Sequence, residues 1–188
     1  MSQLIVFNNV TLDGYFSGAD GDMSWAHTGY DDAEFKAFIA GNASGGGQLL
    51  LGRVTYDLMA SYWPTPLAMQ NDPVVAERMN QLSKVVFSKM LDKASWSNTK
   101  LVNGEIVSEV RKMKQQAGEG MAILGSGSIA SQLAEAGLID EYQSVLNPIF
   151  LGKGETYLNG IKDRLPLKLT KTRAFDNGKV SMCYEPMG

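Results

Sequence analysis

Short apolar runs recur along the chain, each bounded by turn-forming residues, at positions 4–7, 48–51, 84–87, 121–124 and 142–149. Runs of that length flanked by glycine and polar residues predict buried strands. Segments with apolar side chains at helical spacing lie between several of them. Ile106, Val107, Val110 and Met113 share one face while Glu109, Arg111, Lys112 and Lys114 take the other, which predicts a surface helix. Residues 128–136 repeat the pattern with Ile129 and Leu133 inward, and Gly137 stands where a helix needs a left-handed C-cap residue. A further helix is predicted over 32–40. Near the end, LKLTKTRAF and KVSMCYE flank Asn177-Gly178, the dipeptide that most favours the type I′ turn of a two-residue hairpin. Strands alternating with helices predict an α/β chain, and the hairpin predicts an antiparallel finish to its sheet.

Composition narrows the picture. With 188 residues and 44% of them apolar, the chain can bury a substantial core, and a single domain over 1–188 is expected. A net charge of −3 disfavours a nucleic-acid partner, because no basic excess is available to neutralise phosphate backbones. The opening MSQLIVFNN lacks the features of a secretory signal, and no apolar stretch approaches a bilayer span, so no membrane association is expected. Cys183 is the one cysteine and His27 the one histidine, which leaves neither an internal disulfide nor a His/Cys cluster for zinc. A reducing cytoplasm fits that usage. The polar stretches 17–29, 41–47 and 62–72 are predicted loops, longer than usual connections, as loops that close over ligands often are.

Three stretches carry candidate chemistry. In LLLGRVTYD a strand ends at Gly52 and leads into a helix, where backbone N–H groups and the helix dipole favour an anion. Arg53 adds a planar cation and Thr55 a hydroxyl, although a tight turn with a surface arginine would look the same. In MAILGSGSIASQLAEAGLIDEY a second strand ends in Gly125-Ser126-Gly127-Ser128 and opens into a helix. Gly125, Gly127 and Ala130 match G-x-G-x-x-A, but a dinucleotide fingerprint belongs to the first βα unit of its domain and this one comes late. What carries over is close backbone approach at glycine and donors at a helix start. In KVVFSKM, Ser88 and Lys89 follow a strand and could clasp a monoester phosphate.

Over nearly its whole length the sequence resembles the dihydrofolate reductase-like superfamily, and within it small stand-alone relatives of the reductase domain of the riboflavin-biosynthesis deaminase-reductase. The resemblance rests on VTLDGYFSGADGDMSW, LLLGRVTYD, KVVFSKML and ILGSGSIASQLAEAGLIDEYQSVLNPIFLGKGETYL, in that order and spacing. It implies a three-layer α/β fold: a mixed, mostly parallel sheet with helices on both faces and an antiparallel C-terminal hairpin. It also implies an NADPH-dependent reductase of a small heterocyclic or carbonyl substrate, similar to the reductase acting on the phosphoribosylamino-uracil of riboflavin synthesis. Dihydrofolate reduction, or NADPH binding without catalysis, are the alternatives. By the same resemblance Gly52, Arg53 and Thr55 hold cofactor phosphate, Ser88 and Lys89 grip the adenosine 2′-phosphate, and Gly125, Ser126, Gly127, Ser128 and Ile129 form the second pyrophosphate turn. A homodimer is implied by the riboflavin-type relatives.

On the substrate side, Asp13 corresponds to the acid of the LDG motif and is the first catalytic candidate, though Asp-Gly is also a common turn pair. Trp25 is expected beside the nicotinamide or over the substrate cleft, or simply packed as a large aromatic. Asp31 precedes Phe35 as the pterin-binding acid of dihydrofolate reductases precedes a helix phenylalanine. With Glu34 it also forms D-x-x-E, close to a capping box, so capping is the expected role for Asp31. Asp32 could serve equally as cap or as site acid.

Overall fold

Leu49, Leu50 and Leu51 lie on one strand, β3 (Gln48–Gly52), and all three are buried. Successive strand side chains point to opposite faces. Leu49 and Leu51 accordingly enter one hydrophobic cluster and Leu50 another. Each such burial contributes about 1.5–3 kcal/mol, so a strand of this kind needs a cover on both sides. The computed structural model, which describes residues 1–43, 47–116 and 118–188, has that arrangement.

The main sheet contains β1 (Leu4–Thr11), β3, β4 (Ser83–Phe87), β5 (Thr99–Val102), β6 (Met121–Leu124), β7 (Glu141–Asn147), β9 (Leu167–Ala174) and β10 (Val180–Pro186). Their order across the sheet is β5-β4-β3-β6-β1-β7-β10-β9. The strands from β5 to β7 pair in parallel, and β10 and β9 close the sheet antiparallel. A separate ribbon pairs β2 (Tyr15–Ser17) with β8 (Glu155–Thr156). Helices α1 (Ala33–Ala43), α2 (Arg53–Tyr62) and α4 (Pro73–Gln81) cover one face through Phe35, Tyr56, Val75 and Met79. Helices α5 (Ile106–Gln115) and α6 (Gly127–Glu135) cover the other through Val110, Ile129 and Leu133. This is the expected dihydrofolate reductase-like sandwich.

Helix α6 ends as the glycine predicts. Gly137 has φ +65°, its N–H donates to Ala134 O, and the Leu138 N–H donates to Leu133 O, which together make a Schellman motif. Three details differ from the sequence reading. Within the loop expected at 62–72 lies a short helix, α3 (Pro66–Asn71), begun by Thr65, whose Oγ1 accepts from the Ala68 N–H. Thr65-Pro66 and Asp72-Pro73 are both N-cap–proline signals, and α4 starts at the second. The hairpin turn is the second difference. Only Gly178 has positive φ there (+83°), whereas type I′ needs it at both central residues. The Gly178 N–H donates to Phe175 O and the Phe175 N–H to Lys179 O, closing a longer loop with Gly178 as a left-handed bulge residue. The third concerns 41–47: α1 extends to Ala43, and 44–46 lie outside the described residues.

Candidate functional site

Two neighbouring strands of the sheet send the chain in opposite directions. From β3 it passes through α2 and α3 and α4 to β4 on one side, and from β6 it passes through α6 to β7 on the other, beyond β1. Helices α2 and α6 therefore start side by side at the carboxyl ends of adjacent strands. In open α/β sheets this switch point is where a crevice forms and ligands bind.

The two turns at that point brace one another. Ser126 Oγ accepts from the Gly52 N–H at 2.9 Å, and Thr55 Oγ1 accepts from the Ser126 N–H at 3.2 Å. Gly125 and Ser126 both take left-handed backbone angles, with φ of +60° and +52°. A Cβ on Gly125 would lie 3.4 Å from Thr55 Oγ1, and one on Gly127 would lie 3.2 Å from the Phe16 ring. Ile129 is buried beneath, and it would lie 3.4 Å from a Cβ on Gly52. Gly52, the N-cap of α2, has no side chain and Ser126, the N-cap of α6, is spent on Gly52, so neither helix has a side-chain cap at its N-terminus. The other α-helices do: Asp32 caps α1, Thr65 α3, Asp72 α4 and Glu105 α5. The Ile129 N–H turns back to Ser126 O at 3.0 Å, and the N–H groups ahead of it at the two helix starts, on Arg53, Val54, Gly127 and Ser128, are left for an outside acceptor.

Cations and hydroxyls flank those starts. Arg53 is the first residue of α2, exposed, and pairs with Asp57 Oδ2 at 3.1 Å. An exposed i,i+4 pair is worth under about 1 kcal/mol, so the guanidinium is readily given up to a phosphate. Ser128 is exposed in the first turn of α6. Phe87 pairs with Gly52, which brings Ser88 and exposed Lys89 to the same edge. Ser88 Oγ accepts from the Met90 and Leu91 N–H groups and holds that turn. The donor set fits a dinucleotide: uncapped helix starts and glycines for its pyrophosphate, with Arg53 and Lys89 at the flanks.

The acids expected on the substrate side are arranged differently from one another. Asp13 clasps the loop after β7. Its Oδ1 accepts from the Thr11 hydroxyl at 2.6 Å, and its carboxylate accepts from the Leu151 N–H at 3.1 Å and the Gly152 N–H at 2.7 Å. The Thr11 hydroxyl first, and then those backbone N–H groups, hold its pKa below the ordinary 3.8. Asp13 is therefore an anion at neutral pH, able to accept a proton but not to supply one. The α1 cap expected at Asp31 is instead Asp32, whose Oδ1 accepts from the Phe35 N–H at 3.0 Å and whose Oδ2 accepts from the Asn177 N–H at 3.1 Å. A helix starting at Ala33 puts Phe35, not Glu34, at the third position, so the reciprocal box has no acid where it needs one. Glu34 pairs with Arg173 instead, and Asp31 is exposed. Trp25 is buried in a 3-10 turn (Ser24–His27), and its indole N–H donates to Asp22 O.

Sequence reasoning passed over Phe16, Asn177 and Lys179, which touch these parts from far along the chain. Phe16 lies against Gly127, while Asn177 and Lys179 reach the Trp25 segment. Asn177 carried a turn signal only, and a lysine between a turn and a strand carries none.

The fold and the crevice define a class: a dihydrofolate reductase-like α/β protein with two glycine turns side by side at the carboxyl edge of its sheet. More narrowly, the chain belongs to the RibD C-terminal domain family, which it matches over residues 2–181. That membership makes it reductase-like. It is 28% identical to YyaP of Bacillus subtilis (strain 168) over 175 residues, covering 93% of this chain and 90% of the relative. Its structure resembles a putative riboflavin biosynthesis protein from Shewanella sp. PV-4, with TM-score 0.75, 21% identity and the full length of both chains covered. It also resembles the diaminohydroxyphosphoribosylaminopyrimidine deaminase/5-amino-6-(5-phosphoribosylamino)uracil reductase of Thermotoga maritima, with TM-score 0.69 and 14% identity. There 99% of this chain corresponds to 57% of the larger one. These structures share its fold.

Proposed function

We propose that the chain is an NADPH-dependent reductase of a small heterocyclic or carbonyl substrate. The carrying observation is that α2 and α6, alone among the α-helices described, start without a side-chain cap, and they do so side by side at the switch point. Bound NADPH supplies a hydride from its nicotinamide, so the protein's part is positioning and electrostatics. In this reading the first-turn N–H groups of α2 and α6 hold the pyrophosphate, with Gly52, Gly125 and Gly127 admitting it closely. Arg53, Thr55, Ser126, Ser128 and Ile129 shape that cradle, and Ser88 and Lys89 face the 2′-phosphate that separates NADPH from NADH. Trp25 and Asp31 border the substrate, Asp32 sets the start of α1 beside them, and Asp13 is a fixed negative charge that leaves proton supply to water. The working form is a homodimer, and light scattering at micromolar concentration checks it: a monomer removes that part of the reading.

Titration calorimetry with NADPH and NADH on the wild type and on Arg53→Ala and Lys89→Ala tests the reading. The expected result is tighter binding of NADPH, weakened in both variants, with Lys89→Ala losing most of the preference over NADH. Binding of neither nucleotide by the wild type would sink it.

A further inference from the structure

Two lysines are completely enclosed, and they differ in how their charge is met. Lys84 Nζ donates to the carbonyls of Met79, Asn80 and Leu82 at 2.9, 3.3 and 2.6 Å and lies 4.4 Å from the centroid of the Trp96 ring. It closes the last turn of α4, where the helix dipole favours a cation. Among the described residues Lys179 Nζ has a single hydrogen bond, to Ala26 O at 2.9 Å, and it lies 4.8 Å from the centroid of the Phe35 ring. One neutral acceptor and a ring face are poor compensation for desolvating an ammonium group. A buried charge so lightly partnered is commonly no more stable than an apolar side chain of similar shape. Stability is a weak reason for this lysine.

Its contact offers a better one. Ala26 belongs to the 3-10 turn that also carries Trp25, 153 residues away from Lys179 in sequence. Asn177 works on the same stretch: its Nδ2 donates to Gly29 O at 3.0 Å, and its backbone N–H donates to Asp32 Oδ2 at 3.1 Å. Asn177 Oδ1 also accepts from the Lys179 N–H at 3.0 Å, which couples the two residues. A Cβ on Gly29 would lie 2.8 Å from Asn177 Nδ2, so the contact is close as well as polar. Among the described residues, the other hydrogen bonds of 18–31 are local, from Gly18 to Asp22 O, Trp25 to Asp22 O and Thr28 to Trp25 O for example. Val180 pairs with Leu146 near the end of β7, which places the hairpin tip at the carboxyl edge of the sheet, with the glycine turns.

We propose that the tip of the β9–β10 hairpin, through Lys179 and Asn177, is the latch that docks the Trp25 segment and so sets the closed form of the substrate face. The proposal rests on the reductase reading only for what the segment covers. Lys179 and Asn177 are positioning residues in it, acting through Ala26, Gly29 and Asp32.

Hydrogen exchange by mass spectrometry on the full chain tests the latch, with urea unfolding run on the same samples of wild type, Lys179→Met and Asn177→Ala. Lys179→Met is expected to unfold at the same or a higher urea concentration than the wild type, while amides 24–29 lose protection by about tenfold or more. Asn177→Ala is expected to show the same local loss, with β6 and α6 unchanged. Acrylamide quenching, taken as the difference from matched Trp25→Phe proteins, should show Trp25 more accessible in both variants. Unchanged protection of 24–29 in Lys179→Met would overturn the latch. So would a fall in that protection only in step with lower global stability. Failure of the wild type to bind NADPH would end the reductase reading and leave these exchange results to decide the latch by themselves.

Discussion

Gly125 shows how much can rest on one backbone angle. Its φ of +60° turns the chain out of β6, and the space where a Cβ would go is bordered by Thr55. Gly125→Ala is expected to destabilise the protein by about 1–2 kcal/mol, the cost of a left-handed angle for an L-residue. It should also weaken nucleotide binding, read by chemical denaturation and calorimetry together. Asp13 makes a different point, since an acid flanked by glycine can be a turn or a site and its neighbours decide. Three donors converge on it, so its folded pKa lies below the ordinary 3.8. A carboxylate shifted that way adds stability that is fully present above the unfolded pKa and is lost as pH falls through the folded one. The advantage of wild type over Asp13→Asn in urea midpoint should therefore be steady from neutral pH down to about pH 4 and vanish below it. An advantage independent of pH would mean that the clasp does not depend on charge.

At the scale of elements, the contrast among helix starts carries the functional reading. Thr65 caps α3 by accepting from the Ala68 N–H, far from the crevice in role if not in sequence. Thr65→Ala should cost about 1 kcal/mol of stability and leave NADPH affinity unchanged. Calorimetry on that variant beside Arg53→Ala separates damage to a helix from damage to the cradle. The C-terminal hairpin also reads differently as an element than as a sequence. Its edge strand β9 is almost wholly exposed and presents Lys168, Lys171 and Arg173, with Leu169 as a large exposed apolar side chain. Charged side chains on an edge strand guard against unwanted pairing.

Across the whole molecule, the sheet order converts two distant glycine turns into one cradle, and binding there should be felt globally. NADPH at a hundredfold excess over its Kd is expected to stabilise the fold by about 2.7 kcal/mol. A rise in Tm with NADPH concentration, reduced in Arg53→Ala and Lys89→Ala, is the corresponding observation in thermal unfolding. No shift at saturating nucleotide would contradict the proposed cofactor. No helix among the described residues is long and apolar enough to cross a membrane.

Much of this protein was legible in its sequence because the relevant physics is local. Apolar runs such as 48–51 and 121–124 had to be buried strands, Gly137 had to end a helix, and glycines after two strands marked the turns at which two helices begin. Hydrophobic periodicity and backbone sterics act within a few residues, so a sequence displays them directly. Helix starts at Thr65-Pro66 and Asp72-Pro73 were equally local and could have been read. Other features were settled only by the tertiary structure. Whether Asp31 or Asp32 capped α1 depended on Asn177 arriving from the far hairpin to engage the second carboxylate oxygen. Whether Ser126 capped its own helix depended on Gly52 lying within reach of its hydroxyl, 74 residues away in sequence. A side chain's donors and acceptors are fixed by its chemistry, but the partners that claim them are chosen by the order of strands in the sheet.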